Sequence, residues 1–266
     1  MPVDLLAHIF REKVSVVAPA AALREIVCGY YWYTCSEGNT PLWATLDGEP
    51  ALLFLLDAPY TISFTGGNAI TLEQAFFCCY GLQNTYISAW PQGMRLLVVK
   101  FSCNGLYQLL QQPLLSITRS PLVAMADVWG ADGLALAAAI RNTGNPRGQA
   151  AVLDTFLRRQ LPIQPQAAYL VRAAAVQIRQ SKGQLSVQTL CREFGVNYKW
   201  LERNFKNQLG ITPKVYINTI RFLHAYFSME DYPGNLTCLA LEHGYYDQPH
   251  FIKEFKRHTG GVPSGR

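Results

Sequence analysis

No apolar stretch in this sequence approaches the roughly 20 residues that a membrane-spanning helix needs; the longest wholly apolar runs, such as Ala51–Leu56, are far shorter. The start, Met1-Pro2-Val3-Asp4, lacks a basic stretch leading into an apolar block, so no secretion signal is expected and the expected location is the cytoplasm. Charged residues are scarce, at 15%. Seven cysteines are scattered as Cys28, Cys35, Cys78, Cys79, Cys103, Cys191 and Cys238, with no CxxC pair. That argues against a disulfide framework and a structural zinc site. Histidine is sparse before residue 160, where His8 stands alone. A metal-binding or catalytic barrel needs several histidines and a carboxylate together, so neither a metal, a cofactor nor an enzyme active site is expected. Half of the residues are hydrophobic, enough apolar surface to exclude intrinsic disorder.

What is present falls into two parts. A length of 266 residues suggests two domains, and charge divides them. Residues 1–160 hold 10 Lys+Arg against 11 Asp+Glu, whereas 161–266 hold 13 against 7. A compact basic region points to a polyanion, most often nucleic acid. The segment Leu161-Pro162-Ile163-Gln164-Pro165-Gln166 has the composition of a semi-rigid linker. The expected division is 1–160, a linker at 161–166, and 167–266.

The first part reads as short strands followed by helices. Ala51–Leu56, Thr61–Thr65, Ala75–Tyr80, Tyr86–Trp90 and Arg95–Ser102 are strand candidates, with turn signals at Gly66-Gly67-Asn68 and Pro91-Gln92-Gly93. They predict an antiparallel barrel or sandwich. The period then changes, predicting helices over Leu106–Gln112, Gly133–Asn142 and Gln149–Leu161. Trp32, Trp43, Phe54, Phe64, Phe76, Tyr80, Tyr86 and Trp90 suit either barrel core or the lining of a ligand cavity.

The second part contains an internal repeat. Leu190-Cys191-Arg192-Glu193-Phe194-Gly195 matches Leu239-Ala240-Leu241-Glu242-His243-Gly244 at an offset of 49. One residue later the offset becomes 50, pairing Leu201 with Phe251, Arg203 with Lys253, Phe205-Lys206 with Phe255-Lys256, Gly210 with Gly260 and Pro213 with Pro263. Each copy reads as helix, tight turn, helix. Before the first copy, Leu170, Ala173, Ala174 and Ile178 form the stripe of a helix that Gly183 closes. Ser186 is expected to cap Val187–Phe194, Asn197 to cap Tyr198–Gln208 and Asp247 to cap Gln248–His258. Between the copies a long helix starts at the Thr212-Pro213 cap and carries Tyr216, Ile220, Leu223 and Phe227 inward. Such a helix would hold the two second helices in successive major-groove segments, about 34 Å apart along B-DNA.

On the first of these helices Leu201 and Phe205 face the core, which leaves Lys199, Glu202, Arg203 and Lys206 outside. On the second, Phe251 and Phe255 point inward while Gln248, Ile252, Lys253 and Lys256 point outward. The candidate DNA-binding residues are therefore Lys199, Glu202, Arg203, Lys206, Gln248, His250, Lys253 and Lys256. Arg203 can grip guanine with both ends of its fork, which is worth about 1–3 kcal/mol against a wrong base. Glu202 can accept from cytosine or orient Arg203, and Lys206 and Lys256 suit phosphates. His250 suits either a structural role or a phosphate contact. Arg221 is expected to be a structural ion-pair partner.

These spacings resemble a known family. The pattern Arg203-x-Phe205-Lys206-x3-Gly210-x-Thr212-Pro213-x2-Tyr216-x4-Arg221-x3-Ala225 and its continuation are similar to the DNA-binding domain of AraC/XylS-type transcription regulators. The continuation is Leu239-Ala240-x3-Gly244-Tyr245-x-Asp247-Gln248-x-His250-Phe251-x3-Phe255-Lys256 followed by Gly260-x2-Pro263. Pro249 departs from the polar residue usual in the family, and no aromatic stands near the final Arg266. The first 160 residues resemble the cupin-like sensor domain of one branch, through Asp47-Gly48, Arg95–Ser102 with Gly105-Leu106-Tyr107, and Trp129-Gly130.

The resemblance implies a bacterial, cytoplasmic, nucleoid-associated regulator that binds double-stranded DNA in adjacent major-groove segments. It further implies a small-molecule effector bound by the barrel, a homodimer through the N-terminal domain, and RNA polymerase as partner of an activator. Two alternatives stay open: a ligand-independent regulator, and a thiol or alkylation sensor built on the N-terminal cysteines.

Overall fold

Strand Ala51–Leu55 explains much of the N-terminal half, because all five of its side chains are buried and no alternation of apolar and polar residues is left. A strand covered on both faces needs neighbours on both edges and packing on both sides. The computed structural model supplies these, and it describes residues 15–34, 42–43, 49–63, 69–78, 86–87, 93–117, 122–161, 169–259 and 261–263. In chain order the strands are β1 (Ser15–Val17), β2 (Val27–Thr34), β3 (Leu42–Trp43), β4 (Ala51–Leu55), β5 (Tyr60–Ser63), β6 (Ala69–Leu72), β7 (Ala75–Cys78), β8 (Tyr86–Ile87), β9 (Arg95–Phe101) and β10 (Leu122–Ala124). Six form one antiparallel sheet in the order β1-β2-β9-β4-β7-β10, while β3-β8 and β5-β6 make two-stranded ribbons. In the sheet Leu53 sits opposite Val98 on one side and Phe76 on the other.

No strand is expected before Ala51, yet β2 is the longest of the sheet. Its alternation is broken by a register shift between Val27 and Gly29 and by burial on both faces. The Gly66-Gly67-Asn68 turn, Phe64, Tyr80, Trp90, His8, Cys35 and Cys79 lie outside the described residues.

Helices α1 (Gly105–Leu110), α2 (Leu114–Ile117), α3 (Met125–Asn142) and α4 (Pro146–Arg159) follow. The predicted Gly133–Asn142 helix is only the second half of α3. Gly130 kinks this helix with φ 54° and ψ −134°, a conformation open to glycine and strained for other residues. Leu136, Ala137, Ile140, Leu153 and Leu157 from α3 and α4 pack on Leu52, Phe54, Phe77, Leu97 and Val99 of the sheet. Trp129 meets Phe77 and Phe156 edge-on at 5.0 and 4.9 Å. Trp32 Nε1 donates to Gln149 Oε1 at 2.5 Å, and Tyr30 OH donates to Asp154 Oδ1 at 2.8 Å. Trp32 and Phe54 are thus core residues under the helices.

The C-terminal half is helical: α5 (Tyr169–Gln180), α6 (Val187–Glu193), α7 (Tyr198–Leu209), α8 (Pro213–Phe227), α9 (Leu236–Glu242) and α10 (Gln248–Thr259). The buried stripe of α5 is Val171, Ala174, Ala175 and Ile178. The predicted stripe is therefore corrected at two positions, since Leu170 is 41% exposed and Ala173 half-buried. A single core joins all six helices, and Cys103 from the end of the sheet belongs to it.

The two halves meet along α7, against which α1 and α2 pack. Asn104 Nδ2 donates to Gln208 Oε1 at 3.1 Å. Arg179 on α5 pairs with Glu49, and Arg172 lies 3.8 Å from Glu25. Of the expected linker 161–166, only Leu161 is described; it packs against the N-terminal core.

Candidate nucleic-acid interface

Each copy of the repeat folds as two short helices joined by a glycine turn, held by caps legible in the residues. Ser186 Oγ accepts from Thr189 N at 3.0 Å and starts α6, and Asn197 Oδ1 accepts from Trp200 N at 2.8 Å and starts α7. Between them Gly195 takes φ 63°. In the second copy Asn235 Oδ1 accepts from Cys238 N at 3.0 Å, Gly244 takes φ 74°, and Asp247 Oδ1 accepts from His250 N at 2.8 Å. Side-chain acceptors of this kind satisfy the orphan N–H groups of a helix start.

Helix α8 fixes the two copies relative to each other. Thr212 Oγ1 accepts from Val215 N at 3.2 Å, and Pro213 follows where its missing N–H costs nothing. Its buried face is wider than the predicted stripe: Tyr216, Ile217, Ile220, Phe222 and Leu223 are all buried, and Phe227 is only partly so. Phe205 of α7 meets Tyr216 edge-on at 6.1 Å, and Phe255 of α10 meets Phe222 at 6.0 Å. One rod therefore anchors both second helices through aromatic contacts. Arg221 makes its structural contacts differently from the expected ion pair. Its Nε donates to Gly183 O at 2.8 Å, and its guanidinium lies 5.9 Å from the Tyr245 ring centroid.

With Leu201 and Phe205 buried in α7, and Phe251 and Phe255 in α10, the remaining faces carry the candidate residues. Lys199 and Arg203 are exposed on α7. Glu202 and Lys206 are half-buried and joined by an ion pair of 2.7 Å. The hydrogen bond from Lys206 holds the Glu202 carboxyl below its ordinary range, so it faces outward as a carboxylate. On α10, His250, Lys253 and Lys256 are exposed, and the His250 ring stands edge-on to Tyr245 at 5.3 Å. Gln248 is partly covered, and its Oε1 accepts from Thr237 Oγ1 at 2.8 Å. Sequence patterning offers no cue to Thr237, since its counterpart in the first copy is Gln188. Nor did it reveal Glu49, Arg179, Asn104 and Gln208, which face each other only through tertiary folding.

The described cysteines differ in exposure: Cys28 and Cys238 are exposed and Cys191 is half-buried. Cys78 and Cys103 are buried, and burial pushes the Cys103 thiol far up, away from the reactive thiolate. Among the described residues no group of three His, Cys, Asp or Glu is placed to hold a metal, and no helix is long and apolar enough to cross a membrane.

Residues 190–265 match a family model described as a helix-turn-helix domain. Curated relatives include the HTH-type transcriptional activator RhaS of Escherichia coli (strain K12 / DH10B), 30% identical over 71 residues, which is 27% of this chain and 26% of RhaS. RhaS of Escherichia fergusonii is 28% identical over 79 residues, covering 30% of this chain and 28% of that protein. The chain thus matches little more than a quarter of the length of these relatives. Among solved structures, ToxT from Vibrio cholerae superposes with a TM-score of 0.48 at 12% identity, covering 88% of this chain and 96% of ToxT. The AraC-like transcriptional activator CuxR gives 0.32 at 15% identity, covering 84% and 90%. With its two capped helix-turn-helix units on one connecting helix, the segment 190–265 belongs to the helix-turn-helix domains of the AraC family.

Proposed function

We propose that the protein is a sequence-specific regulator of transcription that binds double-stranded DNA through α7 and α10, docked in adjacent major-groove segments. The observation that carries this reading is the repeated outward face: Arg203 and Lys253 stand at equivalent positions, as do Lys206 and Lys256, on two helices anchored to one rod. A solvated charged face does not need to recur in register; a surface that meets two turns of one duplex does. Arg203 is assigned to a guanine edge and Glu202 to a cytosine amino group. Lys199, Lys206, Lys253 and Lys256 are assigned to the backbone or base edges, and His250 to a phosphate.

The N-terminal domain, 1–160, is assigned a sensing role. Its helices α1 and α2 lie directly on α7, so any ligand that shifts them acts on the first reading helix without an intermediary. Coupling of this kind is typically worth about 1–3 kcal/mol. A homodimer would form through the outer faces of α3 and α4, which enclose an open groove of about 510 Å³ lined by Leu136, Ala139, Val152 and Phe156. RNA polymerase is the partner in activation.

The test is selection of full-length protein against sheared genomic DNA at two salt concentrations. Enrichment of a site spanning two major-groove segments, weakened by Arg203→Ala, is the expected result. Uniform and steeply salt-dependent binding with no enriched site would leave only phosphate contact and overturn the reading.

A further inference from the structure

The two reading surfaces differ in chemistry. At equivalent positions α7 carries Lys199, Glu202, Arg203 and Lys206, all charged, whereas α10 carries Pro249, Ile252, Lys253 and Lys256. In the turn before each helix, half-buried Val196 is matched by Tyr246, which is 86% exposed. Apolar positions beside lysines make a poor face to leave against water, but they suit a partner that sets apolar groups near phosphates. The major groove is such a partner, for thymine places a C5 methyl there between the phosphate rows.

Gln248 narrows the choice of base. It precedes Ile252 by one helical turn on the outward face. Its carboxamide oxygen is occupied, accepting from Thr237 Oγ1 at 2.8 Å. A glutamine reads adenine with both its oxygen and its nitrogen; with the oxygen held towards Thr237, that paired geometry is hindered and the N–H donors are the groups left to reach a base. A donor beside an apolar side chain is complementary to one base edge, the O4 acceptor of thymine with the methyl next to it. Cytosine presents a donor there, and guanine and adenine have no methyl.

We infer that the second helix-turn-helix selects thymine, with Gln248 Nε2 donating to O4, Ile252 covering the methyl, and Thr237 as the residue that positions Gln248. The inference rests on the DNA-binding reading above. It makes the operator asymmetric: a G·C-containing half under α7 and a thymine-containing half under α10.

The experiment uses full-length protein and a randomised duplex pool. The half-site under α10 is the one whose base preference survives in Arg203→Ala. Each of its thymines is then replaced by deoxyuridine, which removes the methyl and keeps O4, and affinity is read by fluorescence anisotropy. One replacement should weaken wild-type binding about fourfold, the effect of losing one buried methyl. Ile252→Ala should bind the thymine and uracil duplexes equally. Thr237→Val frees the Gln248 oxygen and should move the preference at that position from thymine towards adenine. Insensitivity of the wild type to every uracil replacement overturns the inference while leaving DNA binding intact, and this arm needs no variant to fold. Unchanged uracil sensitivity in Ile252→Ala removes Ile252 from the contact, and an unchanged preference in Thr237→Val removes the positioning role. If the pool yields no enriched site, the DNA-binding reading itself fails and this inference with it.

Discussion

Glu49 and Arg179 come from opposite halves of the chain and form an ion pair with side chains only 9% and 24% exposed. Arg179 Nε also donates to Tyr216 OH at 2.9 Å, so the pair ties the sheet domain to α8 as well as to α5. Water screens such a pair much less than it does an exposed one. Glu49→Ala should cost about 2 kcal/mol, the usual scale of a hydrogen bond to a charged group. Because the pair crosses between domains, calorimetry of the variant should resolve two unfolding transitions where the wild type gives one.

Truncating Phe205 and truncating Arg203 should both weaken DNA binding at physiological salt, but for different reasons. Phe205 is fully buried in the shared helical core, and Phe205→Ala should lose about 3–5 kcal/mol of stability. Arg203 is exposed, so Arg203→Ala should leave the melting temperature within about 0.5 kcal/mol equivalent of wild type. Thermal melts beside binding isotherms separate the two effects.

Two glycines with positive φ should respond very differently to alanine. At Gly195, φ 63°, an added Cβ meets nothing within 4 Å, and the cost is the left-handed backbone alone, about 1–2 kcal/mol. At Gly183, φ 70°, the Cβ would sit 2.5 Å from Ile217 O and 2.6 Å from Arg221 N. Gly183→Ala must displace α8 itself. It should be the more damaging by several-fold in urea denaturation.

Stability of the C-terminal helices should fall in mild acid. Burial pushes the His258 imidazole down to about 4, with help from nearby Arg257. Glu254 Oε2, 3.8 Å from Nε2, pulls the other way but is outweighed by removal from water. The ring stacks on Phe222 at 4.3 Å as a neutral group. Between about pH 6.5 and 4 the unfolded chain binds a proton that the folded one refuses. Stability is therefore intact above that window, declines through it as pH falls, and levels below it, by an amount on the order of 3 kcal/mol. His258→Phe keeps the stack and should flatten its share of the slope in melts from pH 7 to 4. His224, also held at about 4, and His243, likewise lowered by burial, retain the rest.

Much of the C-terminal half was legible in the sequence because its determinants are local. Ser186, Asn197, Thr212 and Asp247 cap helices within three residues of themselves, and Gly195 and Gly244 mark turns wherever they stand. The outward faces of α7 and α10 follow from helical period once Leu201, Phe205, Phe251 and Phe255 are placed inside. The N-terminal half was harder to read. Strand β2 has both faces buried and a register shift at Gly29, which erases the alternation that identifies a strand. Helix α3 hides its first half behind Gly130. The Thr237–Gln248 and Asn104–Gln208 hydrogen bonds join residues 11 and 104 positions apart, and no short pattern encodes such pairs.

Cys103 lies just past the last residue of β9, yet its side chain is counted among the α5–α10 core, with a relative exposure of 6%. The division of the sequence and the division of the core thus fall in different places. A fragment starting at residue 167 would carry every reading residue but leave an unfilled socket where that thiol sits, beside an Arg179 stripped of Glu49. In the intact chain the same thiol is a natural reporter: an alkylating reagent can reach it only when the two domains part, so its rate of labelling measures how often they do.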